Sequence, residues 1–85
     1  MYEFLVTDDF IKDLENLEQY NQELVKKKLK YFQNQENPLL LSKKLKGYKD
    51  IFRFRAGLYR IIFRLDYDKI VILKVRNRKE VYRHI

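Results

Sequence analysis

The sequence predicts an α+β fold: an N-terminal strand, a two-helix hairpin, then a mostly antiparallel sheet of three to four strands. Two observations carry this. Apolar residues recur at spacings of four and three over the first third of the chain, the signature of helices with one buried stripe. From Asp50 onward they alternate with polar residues at a period of two, the signature of strands with one buried face. The 85 residues suffice for one core and no more, so residues 1–85 read as a single domain.

Tyr2–Val6 (YEFLV) is the first strand. Thr7 reads as an N-cap, with Asp8 and Asp9 at the positive end of the helix dipole. Phe10, Leu14 and Leu17 form one stripe, on a helix running to about Glu18. Asn21 reads as the cap of a second helix, whose stripe of Val25, Leu29 and Phe32 is widened by Leu24 and Tyr31. That helix frays near Asn34, because Asn37-Pro38 requires extended backbone. The lysines at 26, 27, 28 and 30 point in different directions on a helix and read as a solvated face.

Leu39–Leu41 is an apolar anchor in a polar connection. It leads into Ser42-Lys43-Lys44-Leu45-Lys46-Gly47, whose lysines could flank a phosphate track or simply keep a loop soluble. Two strands follow, separated by Ala56-Gly57 as a two-residue turn. This turn pairs Arg55 with Leu58, Phe54 with Tyr59, Arg53 with Arg60, and Phe52 with Ile61. Phe52, Phe54, Tyr59 and Ile61 then share one face, and Arg53, Arg55 and Arg60 share the other, which Arg64 continues. Asp66-Tyr67-Asp68 makes the next turn. Lys69–Arg76 (KIVILKVR) is apolar on both sides, as a central or doubly covered strand should be. Its register does not place Lys74 or Arg76. Asn77-Arg78 bends the chain into a last short strand, Glu80–Arg83. Two helices on one face of this sheet leave the arginine face open.

Charge is distributed unevenly. Residues 1–42 carry 5 Lys+Arg against 8 Asp+Glu, a net of −3, and residues 43–85 carry 14 against 4, a net of +10. A face of closely spaced guanidinium groups repels itself and is suited to phosphate or an acidic partner. The chain has no cysteine and one histidine, His84. That excludes a disulfide framework and argues against a protein-only metal centre, and it agrees with a cytoplasmic protein. The longest apolar run, Ile70–Leu73, is too short for a membrane span. Nucleophile–base sets, phosphate-binding glycine loops and paired carboxylates are missing. What remains is an arginine cluster and Tyr82, which can grip a phosphodiester and balance charge on a pentacoordinate phosphorus. An RNA substrate supplies its own nucleophile, the 2′-OH. A binding surface without chemistry is equally compatible with these residues.

The pattern R-x-R-x-G-x-Y-R-I-I-F-R at Arg53–Arg64, followed by V-x-N-R-K-E-V-Y-R at Val75–Arg83, resembles the RelE/ParE superfamily of toxin–antitoxin toxins. Within it the chain is most similar to the RelE branch of ribosome-dependent mRNA endonucleases. The likeness spans nearly the whole chain and includes the K-L-K-G stretch at Lys44–Gly47. The resemblance implies a RelE-like toxin that cleaves mRNA in the ribosomal A site, by metal-free attack of the 2′-OH on the adjacent phosphorus, without a cofactor. It implies catalytic roles for Arg60, Arg78 and Tyr82, and substrate binding by Arg53 and Arg55; Arg64, which continues their face, is expected to bind substrate with them. The implied partners are a cognate acidic antitoxin, the ribosome and A-site mRNA, with no membrane involved. Members often carry lysine at the positions of Arg53 and Arg55. Arginine does not surrender its proton, so these two are assigned to phosphate and transition-state charge rather than to a base. Tyr82 is then the candidate base, with His84 a second. A ParE-like gyrase inhibitor on the same fold, and a non-catalytic basic binding module, are the competing readings.

Overall fold

A computed structural model describes residues 1–77 and Lys79. Its elements are β1 (Glu3–Val6), α1 (Asp8–Glu15), α2 (Gln19–Gln33), a 3₁₀ turn (Pro38–Leu41), β2 (Ser42–Lys44), β3 (Ile51–Ala56), β4 (Tyr59–Asp66) and β5 (Lys69–Asn77). The strands form one sheet in the order β1-β5-β4-β3-β2. β1 runs parallel to β5, and every other pairing is antiparallel. The sheet therefore has five strands rather than three to four. The additional one, β2, is three polar residues at an edge, where backbone pairing suffices and no alternation marks the strand. Its lysines suit a sheet edge that must not pair with other chains. The expected strand Glu80–Arg83 lies outside the described residues. Among those described, no helix is long and apolar enough to cross a membrane.

Thr7 caps α1 as expected, its Oγ1 accepting from the Phe10 N–H at 3.2 Å. The helix stops at Glu15, not Glu18, and α2 starts at Gln19, with Glu18 rather than Asn21 at the cap position. Gln22 accounts for the tighter corner, because its Nε2 donates to the Leu17 carbonyl at 2.9 Å. The far end of α2 is at Asn34, as expected.

Both helices cover one face of the sheet. Phe10, Val25 and Phe32 are buried there with Phe54, Ala56, Ile61, Phe63, Ile70, Ile72 and Val75. The rings of Phe32 and Phe54 stack at 4.2 Å, and those of Phe54 and Phe63 at 4.5 Å. Phe52 extends the column from Phe63, and Phe4 meets Phe54 from the other side. The opposite face is not fully open. Leu45, Ile51 and Ile62 form a second buried cluster on it, with Tyr48 and Leu73 packed alongside. Leu40 and Leu41, expected to cover the core, are exposed.

The β3–β4 turn is Gly57-Leu58 rather than Ala56-Gly57, because Ala56 pairs with Tyr59 and is fully buried. Gly57 has φ 62°, the positive value that the first central residue of a primed hairpin turn requires. The pairings become Arg55 with Arg60, Phe54 with Ile61, Arg53 with Ile62, and Phe52 with Phe63. Each partner moves by two residues, so every side chain keeps its expected face.

The β4–β5 turn is Tyr67-Asp68, with Asp66 opposite Lys69. The register then breaks: Phe63 pairs with Ile72 but Ile62 pairs with Lys74, leaving Leu73 as a bulge. The Thr7 hydroxyl donates to the carbonyls of Ile72 at 2.9 Å and Leu73 at 3.2 Å, holding the bulge from the start of α1.

Removing the central ring by Phe54→Ala should cost ~3–5 kcal/mol, a large share of the ~5–15 kcal/mol that holds such a domain. Denaturant titration measures it. Thr7→Val keeps the volume but loses the cap and both bulge bonds. The expected cost is about 1–3 kcal/mol, largely restored by Thr7→Ser. In the valine variant, amide exchange should accelerate first in β5 after Ile72.

Candidate functional site

The face opposite the helices carries its cations in two rows across the strands. In the first, Arg55 of β3 stands opposite Arg60 of β4, which stands opposite Arg76 of β5. In the second, Lys43 of β2 faces Arg53, which faces Ile62, which faces Lys74. Directly opposed residues share a face with Cα atoms ~4.5–5.5 Å apart. The rows are two residues apart along β3, about 6.6 Å.

A cleft of about 310 Å³ opens between them, floored by Lys43, Arg53, Arg55 and Arg60 and closed by Leu41, Gly57 and Tyr59. Ion pairs among the described residues join Lys26 to Glu23, Lys69 to Asp68, and Arg76 to Asp13. Thus no described carboxylate neutralises Lys43, Arg53 or Arg55. Like charges placed directly opposite one another destabilise a sheet, and the cleft floor contains two such facing pairs, Arg55–Arg60 and Lys43–Arg53. Negative charge entering the cleft beside either pair would relieve it. The guanidinium groups present planar forks suited to two oxygens of one phosphate.

Of the residues singled out in the sequence, Arg53, Arg55 and Arg60 come together in the cleft. Arg64 shares their face but stands opposite Ile51, outside the cleft lining and about 13 Å along β4 from Arg60. Arg78, Tyr82 and His84 lie outside the described residues. The sequence left Lys43 open between a phosphate track and a soluble loop, and did not place Lys74 or Arg76. The last two reach this face only because of the bulge: residues 70, 72 and 75 are buried, so the inward parity changes after Ile72. That change was visible as apolar side chains at 70, 72 and 75 with cations at 74 and 76. Arg76 is further anchored by Asp13 of α1, whose Oδ2 accepts from its Nη1 and from the Val75 N–H at 3.2 Å.

Comparison with known proteins shows the family. The family model described as the ParE toxin of the type II toxin–antitoxin system parDE matches residues 4–82. Toxin RelE3 of Methanocaldococcus jannaschii is 35% identical over 81 residues, covering 92% of each chain. The RelB–RelE antitoxin–toxin complex from Methanococcus jannaschii contains a chain 31% identical with a TM-score of 0.72, covering 88% of this chain and 91% of that one. The toxin–antitoxin complex RelBE2 from Mycobacterium tuberculosis gives 28% identity and a TM-score of 0.75, over 91% and 98% of the two chains. The isolated Escherichia coli RelE toxin, at 19% identity and a TM-score of 0.65 over 95% and 88% of the chains, shares the fold. The match over residues 4–82 and the 35% identical relative show that the chain belongs to the RelE/ParE superfamily, the toxins of type II toxin–antitoxin systems.

Proposed function

We propose that this toxin is an mRNA endoribonuclease that acts on the ribosome and is held inactive by a cognate antitoxin. The observation that carries the reading is the facing pair Arg55–Arg60 at a cleft where no described carboxylate neutralises Lys43, Arg53 or Arg55. Such a pair is suited to a phosphodiester and to the extra negative charge of a pentacoordinate phosphorus. RNA brings the 2′-OH nucleophile with it, so the protein's task is orientation and charge balance. In this scheme Arg53 and Arg55 bind phosphates of the RNA backbone, and Arg60 and Arg78 stabilise the transition state. Tyr82 takes the 2′-OH proton, with His84 as the second candidate. Arg64, standing apart from the cleft, contacts substrate further along the strand. The chemistry needs no cofactor, and the site of action is the cytoplasm, where ribosomes are. The antitoxin assignment rests on the relatives, solved as RelB–RelE and RelBE2 complexes.

The match to the ParE family model favours a second reading, inhibition of DNA gyrase. The two separate cleanly. Induced expression of an endoribonuclease should arrest growth and produce new 5′ ends within translated mRNA, leaving plasmid supercoiling unchanged. Loss of supercoiling with intact transcripts would instead identify a gyrase inhibitor.

Arg60→Ala and Arg78→Ala should each lower cleavage about 10²-fold or more and relieve growth arrest, with denaturation midpoints near wild type. Full toxicity in both folded variants would overturn the site assignment. Arg55→Ala should lose activity while stability holds or rises by ~0.2–1 kcal/mol, because it removes one half of a repulsive cross-strand pair.

A further inference from the structure

Resting on the endoribonuclease reading, we infer that Lys43 and Arg53 form a second phosphate subsite, which holds the phosphodiester next to the one being cleaved. Lys43 belongs to the polar stretch before Gly47, where a lysine on a connecting loop would be unremarkable. Its position in the sheet makes it different. Lys43 is the register partner of Arg53, so β2 places an ammonium directly opposite a guanidinium on the cleft floor. Its neighbour Lys44 pairs with Phe52 and therefore points to the other face. Protection of an exposed edge would be served by either lysine. It does not call for one of them to oppose an arginine, an arrangement that costs stability.

The cleft thus contains two like-charge facing pairs, in adjacent rows about 6.6 Å apart along β3. A single phosphate at Arg55–Arg60 leaves the Lys43–Arg53 repulsion in place. Two neighbouring phosphates of an extended strand relieve both, because one nucleotide spans a comparable distance. Leu41, the exposed wall residue beside Lys43, reduces the water around this pair and strengthens its hold on an anion. Lys43 contributes a point charge and Arg53 the oriented fork. The subsite binds substrate and sets its register, so its loss acts on affinity more than on the chemical step.

The test uses a short single-stranded RNA carrying a 2′-deoxy nucleotide at the cleavage position, which binds without reacting. Two further versions replace one neighbouring phosphodiester, on the 5′ or the 3′ side, by an uncharged methylphosphonate. Wild-type toxin should bind one of these roughly fivefold or more weakly than the all-phosphate RNA. Lys43→Met should bind the all-phosphate RNA equally weakly, lose nothing more on that methylphosphonate, and show a salt slope smaller by about 0.7. Lys43→Arg should restore affinity, and Lys44→Met should resemble wild type. On translating ribosomes, Lys43→Met should raise KM with kcat within about twofold of wild type. Wild-type affinity in Lys43→Met, or indifference of the wild type to both methylphosphonates, would overturn the subsite. Failure of wild-type toxin to cut mRNA on ribosomes would overturn the endoribonuclease reading instead, and the binding series would still decide the role of Lys43.

Discussion

The bulge at Leu73 is the constraint on which the rest of this molecule depends. Side chains alternate faces with a period of two, so one inserted residue exchanges the faces of everything beyond it. Ile70 and Ile72 point to the helices before the bulge, and Val75 does so after it. An unbroken strand would turn Val75 outward and drive Lys74 and Arg76 into the aromatic core, where an unpaired charge is prohibitively costly. The bulge instead brings both cations to the face of Arg53, Arg55 and Arg60. It is pinned by Thr7, whose hydroxyl reaches the carbonyls of Ile72 and Leu73 while capping α1. Asp13, two turns into the same helix, takes the Val75 N–H and the head of Arg76. The junction of β1 and α1 therefore positions a basic surface built more than sixty residues later.

That surface works against the stability of the fold. Arg55 and Arg60 face one another, as do Lys43 and Arg53, and each pair is repulsive. The other side of the same strands offsets the cost. Phe52, Phe54 and Phe63 alternate with those cations and join Phe4 and Phe32 in a continuous column of stacked rings. Aromatic burial and stacking contribute several kcal/mol per ring cluster, against tenths to about one for each facing pair. One hairpin thus holds both the strongest packing and the sharpest repulsion. The repulsive side is also kept from full exposure, because Leu45, Ile51 and Ile62 make a small dry cluster beside the cations.

Most of this was legible where the side-chain period was unbroken. Phe52 to Phe63 and Arg53 to Arg60 were assigned to their correct faces although the turn was misplaced by one residue, because moving a two-residue turn by one step conserves parity. Thr7 was legible as a cap from its own chemistry and the acids behind it, but its bonds to β5 were not, since nothing local marks a contact across 65 residues. β2 was invisible for a different reason. Ser42–Lys44 has no apolar residue to alternate, and its strand character comes from pairing with β3 alone. The extent of α1 was overestimated because the apolar stripe continues through Leu17, which packs against the core from the turn rather than from the helix.

The proposed chemistry divides along the same line as the fold. The residues fixed on β2, β3 and β4 to which the proposal gives phosphate binding and charge stabilisation are cations, and arginine among them does not exchange its proton. Rigid strands suit that task, since electrostatic stabilisation depends on charges already in place when the transition state forms. A proton acceptor must come from outside these rows, and the resemblance assigns it to Tyr82, beyond β5. The end of β5 matters because Arg76 completes the first row opposite Arg60. With Thr7 bonded to Ile72 and Leu73 and Asp13 to Val75 and Arg76, α1 and its cap fix the C-terminal half of β5 and the cation it adds to the row.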